Sequence, residues 1–155
     1  MQHPGSASVL NQVGNYWRIK GDTYQAIECF RRALSLSPDN SDVLLNLARI
    51  LFNLKYYDDA IFLTRESLKK KREERDAWLQ HYTLGEIHKA IGQYPEAIVH
   101  FKKVLELNPS FHAAEVYLRE LKSVSSTPAN LYTIMIIAVL SVLVLVVLYR
   151  LIIAS

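Results

Sequence analysis

The sequence holds a single cysteine, Cys29, in 155 residues, so no disulfide can close within the chain. An Asn-x-Ser/Thr glycosylation acceptor is also missing, because Asn108-Pro109-Ser110 is blocked by its proline, and no signal peptide opens the chain. Together these features predict a cytosolic setting for the charged part of the chain. There is no strong excess of one charge either: the net balance is +3, and +2 without Arg150, which speaks against a dedicated nucleic-acid binder. No phosphate-binding glycine loop, paired-glycine motif or serine elbow occurs, so neither an enzyme nor a cofactor is expected. Glycine and proline number only five each.

What is present is an alternation of small and large residues. From residue 7 to residue 40 the small Gly14, Ala26 and Ala33 are interleaved with the large Leu10, Val13, Trp17 and Phe30, and Pro38 closes the run. Two antiparallel helices about 8 to 10 Å apart need small side chains at their crossing and large ones on the flanks. Gly21-Asp22 supplies the turn, predicting helices over residues 7 to 20 and 23 to 36, with Ser6 or Ser8 as the first cap and Asp39 or Ser41 as the next. Met1 to Gly5 reads as a short polar start. In the run GNYWRIKGDTYQAIECFRRALSLSP the residues resemble a tetratricopeptide repeat (TPR) at every signature position. The same run is similar to a group of far longer TPR proteins linked to actin organisation and cilium assembly.

Residues 41 to 74 repeat the pattern with Leu44, Leu47, Ala48, Leu51, Ala60 and Leu63, but Lys55 stands for the turn glycine, Thr64 for the large apolar residue and Ser67 for the small one. The next repeat starts three residues late, after KKKREERD, which predicts a lengthened helix or a looser turn. Residues 78 to 111 restore the pattern with Trp78, Leu84, Gly85, Gly92, Tyr94, Ala97, Phe101 and Pro109, and residues 111 to 122 read as one capping helix with Tyr117 inward. The expected fold is all-α: a three-repeat TPR solenoid with a capping helix, a linker over 123 to 130, and one transmembrane helix over 131 to 153. From Leu131 to Tyr149 there are 19 uncharged residues, 13 of them Leu, Ile or Val. That length spans roughly 28 Å of hydrocarbon. Thr127-Pro128 suits its first turn, since proline at a first helical position loses no hydrogen bond.

In a stack of such repeats, the resemblance implies that the first helix of each pair lines a concave, peptide-binding groove. By register the groove residues are Asn11, Asn15 and Arg18, then Leu45, Asn46, Arg49 and Phe52, then Leu79, Tyr82, Thr83, Glu86 and Lys89. Such a mixture of apolar and hydrogen-bonding groups suits an extended or helical protein segment. Chaperone-binding TPR domains hold a terminal carboxylate with two asparagines, matched here by Asn15 and Asn46, and three cations, which fall on Asn11, Leu79 and Thr83. The missing cations speak against a chaperone C-terminal tail. His81 and His88 lie two turns apart, too far to share a metal through one helix, so no metal site is expected. The run from Lys69 to Arg75 reads as a solvated helix end, since Glu73 and Glu74 interrupt it.

These readings imply a non-enzymatic adaptor, tail-anchored in a membrane through residues 131 to 153, with its N-terminal domain in the cytosol. A strongly apolar anchor with Arg150 as its lone late charge favours the endoplasmic reticulum over the mitochondrial outer membrane. The alternatives are a mitochondrial or peroxisomal receptor of fission-adaptor type, and a structural subunit of a membrane complex.

Overall fold

The computed structural model describes residues 6–125 and 129–154, and the regular elements among them are all helical. Met1 to Gly5 and the Thr127-Pro128 pair lie outside the described residues. The chain divides into two compact units, Met1–Leu118 and Arg119–Ser155. In the first unit α1 (Ala7–Lys20) pairs with α2 (Thr23–Leu36), α3 (Ser41–Asn53) with α4 (Tyr57–Lys69), and α5 (Trp78–Ala90) with α6 (Tyr94–Leu107). Helix α7 (His112–Ser125) begins in that unit and ends in the second, which also holds α8 (Ala129–Ala154).

Local chemistry fixes the helix starts. The Ser6 hydroxyl accepts the Val9 amide at 3.3 Å, and the Asp22 carboxylate accepts that of Gln25 at 3.0 Å. At α3 the cap is Asn40, which accepts the amides of Asp42 and Val43, and neither Asp39 nor Ser41 takes that role. Ser41 is engaged elsewhere: its hydroxyl donates to the Ser67 carbonyl at 2.9 Å and lies 3.0 Å from the Ser67 hydroxyl. Gln80 joins this buried group by donating to Ser67 Oγ at 3.0 Å, which links the second repeat to the third. Between α4 and α5 the three extra residues are taken up by a looser turn that ends in a 3-10 segment, Glu74–Ala77. The neighbouring cations are spent on local acids: Lys70 pairs with Asp39 at 2.6 Å, Lys71 with Asp42 at 2.8 Å and Arg75 with Glu73 at 2.7 Å.

Each pair crosses where a small residue faces a larger one. A Cβ added at Gly14 would meet the Phe30 ring at 2.5 Å, and one at Gly85 would meet the Phe101 ring at 2.6 Å. The second pair solves the same problem with Ala48 and Thr64 at those positions, both fully buried. The turns into α2 and α6 use glycine in left-handed backbone, Gly21 at φ 83° and Gly92 at φ 78°; Lys55 holds the equivalent turn at φ 65°. That conformation costs a side-chain-bearing residue about 1 to 2 kcal/mol. A core of Leu10, Ala26, Phe30, Ala33, Val43 and Ile50 runs from the first pair into the second. Helix α1 adjoins α3, and α3 adjoins α5, so the first helices of the pairs form one continuous wall.

Helix α8 differs in kind. Over Tyr132–Ile153 it runs for 22 apolar residues, its most apolar 18-residue window has a mean hydropathy of 3.0 with none of that window buried, and its length of roughly 33 Å is enough to cross a membrane.

Candidate peptide-binding groove

The wall of α1, α3 and α5 carries the residues singled out in the sequence, and the structure sorts them by depth. Helix α3 is covered on both flanks, so Leu45 is only 3% exposed, and on α5 Thr83 is fully buried with its hydroxyl donating to the Leu79 carbonyl at 2.9 Å. These two lie beneath the groove surface. Asn11, Asn15, Asn46, Arg49, Phe52, Leu79, Tyr82, Glu86 and Lys89 are half-buried, the condition of a side chain that is positioned by its neighbours and still reachable.

Two hydrogen bonds set the geometry of the N-terminal half. The Asn46 amide donates to Asn11 Oδ1 at 2.9 Å, joining α3 to α1, and Arg18 Nε donates to Asn15 Oδ1 at 3.1 Å, one turn apart on α1. Burial and the charge of nearby Arg49 hold the Arg18 guanidinium below its ordinary pKa. Further along, Phe52 leans on Tyr57 with ring centroids 6.1 Å apart.

The other half is aromatic. Tyr82 meets Phe111 edge-on at 4.9 Å and stacks with Tyr117 at 6.1 Å, while Tyr117 also packs on Phe101 at 5.0 Å. Trp78 packs on Phe111 at 4.9 Å. Lys89 Nζ stands 4.2 Å above the Tyr117 ring, a cation held over a π-face. Phe52, Glu86, Lys89, Ala90 and Tyr117 line an open hollow of about 260 Å³. Burial raises the Glu86 carboxyl, opposed by a hydrogen bond with the Tyr82 hydroxyl and by the charges of Arg49 and Lys89. The Tyr82 phenol is pushed up by burial and then by the adjacent Glu86 charge. Tyr117 was legible as an inward residue of the last helix, but its place over Lys89 was not, since nothing in the spacing pairs those two helices.

Away from the groove, α6 brings His100 between the two histidines of α5. His81 and His100 approach Nδ1 to Nδ1 at 3.1 Å, and His88 stacks on His100 with centroids 5.5 Å apart while its Nδ1 donates to Gln93 Oε1 at 2.6 Å. Burial, followed by the charges of His81 and His88, lowers His100 to about 4. Among the described residues no group of three or more metal-ligating side chains is arranged to hold an ion.

Comparison with known proteins adds a family and a fold. Two family profiles, both described as tetratricopeptide repeat, match residues 19–80 and 78–111. Tetratricopeptide repeat protein 17 of Homo sapiens is 34% identical over 117 residues, covering 74% of this chain and 10% of that protein. The chain therefore spans about a tenth of the length of such relatives. Among solved structures, the first TPR domain of the human RPAP3 protein is 25% identical with a TM-score of 0.72, covering 83% of this chain and 98% of that one. The first TPR of Spaghetti (RPAP3), solved bound to the HSP90 peptide SRMEEVD, is 24% identical with a TM-score of 0.72, over 79% of this chain and 97% of that one.

Proposed function

We propose, since the chain belongs to the tetratricopeptide repeat family, that its α1–α3–α5 wall binds a peptide segment of a partner protein and that α8 holds this adaptor at a membrane. The observation that carries the groove reading is the row of half-buried polar groups on that wall, from the Asn11–Asn46 pair through Arg49 to Glu86, set beside the apolar Phe52 and Leu79. Amides held in place by one another can exchange to peptide backbone, while apolar hollows take alternate side chains. That Spaghetti holds an HSP90 peptide on the same fold supports this use of the surface. The reading involves no chemistry on the ligand, only recognition.

The expectation against a chaperone tail rested on the lack of cations at Asn11, Leu79 and Thr83. Arg18 and Arg49 bring positive charge to the asparagines from other positions, so that argument no longer decides, and a chaperone tail belongs among the segments to be tried. An 18-residue window of mean hydropathy 3.0, none of it buried, supports the anchor, and its apolarity favours the endoplasmic reticulum over the mitochondrial outer membrane.

Proximity labelling from the intact N-terminus in cells tests the groove. The parent is run beside a variant carrying Asn46→Ala, Phe52→Ala and Glu86→Ala. A small set of neighbours should vanish in the variant while the organelle marked by the remaining neighbours is unchanged. An unchanged neighbour set would place recognition outside the wall and end the groove reading.

A further inference from the structure

The two junctions between successive repeats are built from different chemistry. Between the first and second, Ala33 of α2 and Val43 of α3 are both fully buried, in an apolar core that also takes Phe30 and Ile50. At the corresponding places between the second and third stand Ser67 of α4 and Gln80 of α5, equally buried, and Thr64 replaces Phe30. A polar node therefore occupies the place of an apolar contact.

That node is incompletely satisfied. Ser41 Oγ donates to the Ser67 carbonyl at 2.9 Å and Ser67 Oγ donates to the Ser41 carbonyl at 2.7 Å, so both hydroxyl hydrogens are spent. Gln80 Nε2 donates to Ser67 Oγ at 3.0 Å and to Ser41 Oγ at 3.3 Å, while Gln80 Oε1 is buried and accepts no hydrogen bond among the described residues. Turning the amide over offers no remedy, because its oxygen would then face two hydroxyls with no hydrogen left to give. Closing this junction keeps an amide oxygen from water without return, and a small opening restores its solvation. The apolar first junction gains nothing by opening.

The connection is also permissive. Helices α2 and α3 are joined by residues 37–40, and the Asn40 side chain ties that turn to α3. Helices α4 and α5 are joined by the longer stretch 70–77, and neither its 3-10 segment nor α5 begins with a side-chain cap.

We propose that the α4–α5 junction is a hinge in the stack, at which the third repeat swings against the first two. The open hollow of the groove lies astride it, with Phe52 on α3 and Glu86, Lys89 and Ala90 on α5, whereas the Asn46–Asn11 bond lies wholly to one side. A swing therefore changes the width of the hollow and leaves the amide pair intact. That the groove fits its aromatic half to the segment it holds rests on the groove reading above; the hinge itself does not.

The test uses full-length protein in nanodiscs of phosphatidylcholine, in a Cys29→Ser background that removes the one native thiol. Spin labels are placed at exposed positions, and their separations are read by double electron–electron resonance. One pair, Gln25→Cys with Lys102→Cys, spans the junction; the control, Gln25→Cys with Asp59→Cys, stays within the first two repeats. The spanning pair should show the broader distribution. Adding Gln80→Val with Ser67→Ala, which installs the chemistry of the first junction, should narrow it to the breadth of the control. The same change should slow amide exchange over residues 67–80 about tenfold, the scale of one unpaired buried polar group. The reciprocal change, Ala33→Ser with Val43→Gln, should broaden the control pair. A spanning pair as narrow as the control, or one whose breadth the Gln80 and Ser67 changes leave unaltered, would overturn the hinge. Because no peptide enters these measurements, the hinge can fall while the groove reading stands, and the reverse.

Discussion

Gly14 and Gly85 do the same work in the first and third repeats, and the second repeat shows why. A large aromatic ring, Phe30 or Phe101, fills the helix crossing only if its partner lacks a Cβ; where the partner is Ala48, the opposite residue shrinks to Thr64. The two solutions are alternatives, and mixing them should fail. Gly85→Ala gains roughly 0.5 to 1 kcal/mol of helix propensity, but sets a methyl 2.6 Å from a ring with no room to retreat. Overpacking of that kind costs about 1 to 3 kcal/mol. Net destabilisation of about 1 to 2 kcal/mol in urea unfolding is expected. In a Phe101→Thr background the clash partner is gone, so the same Gly85→Ala change should become neutral or stabilising. A penalty of equal size in both backgrounds would show that the ring contact is not its cause.

At the scale of the element, α5 and α6 carry a titration that neither helix has alone. His100 is faced by His81 and His88 from α5 and by Arg65 from α4, and burial together with these charges lowers it to about 4. Its ordinary value in an unfolded chain is about 6.5. The folded state therefore binds fewer protons than the unfolded one across this window, and the stability from neutral His100 is complete above pH 6.5 and lost as pH falls toward 4. Urea midpoints should drop between pH 6.5 and 5, above the range where ordinary carboxylates titrate, and His100→Gln should flatten that slope. An unchanged slope would assign it to other groups. None of this was legible in the sequence, because the seven-residue spacing of His81 and His88 says nothing of what a neighbouring helix inserts. The fold class was legible, since the alternation of Gly14, Ala26, Phe30 and Ala33 reports a helix crossing directly. Contacts between repeats were not: the Ser41–Ser67 bonds that leave the α3 cap to Asn40, the depth of Leu45 on a helix covered on both flanks, and the Asn46–Asn11 bond from α3 to α1 all depend on how the pairs stack.

For the whole molecule the question is what covers α8. The first unit buries a core within its helix pairs, with Phe30, Leu84, Ile87 and Phe101 almost wholly covered, whereas every Leu, Ile and Val side chain described in α8 stands about half or more exposed. Thirteen such residues between Leu131 and Tyr149 favour a lipid surrounding by about 4 to 8 kcal/mol on an insertion scale. Polar compensation within the segment is slight: the Ser141 hydroxyl donates back to the Ile137 carbonyl at 2.8 Å, so even this group makes no demand on water. A partner protein could bury one stripe of such a helix, but α8 has no polar face to leave in solvent. The full chain should therefore remain in the membrane pellet after alkaline carbonate extraction, and a chain lacking residues 129–154 should move to the soluble fraction. Replacing Leu140 and Val144 together by Arg should also release it, because two charges near the centre of the span cost about 5 to 7 kcal/mol, comparable to the whole apolar gain. Release of the full chain by carbonate would instead mean that protein, not lipid, covers the helix, and the adaptor would then be a subunit held by its neighbours.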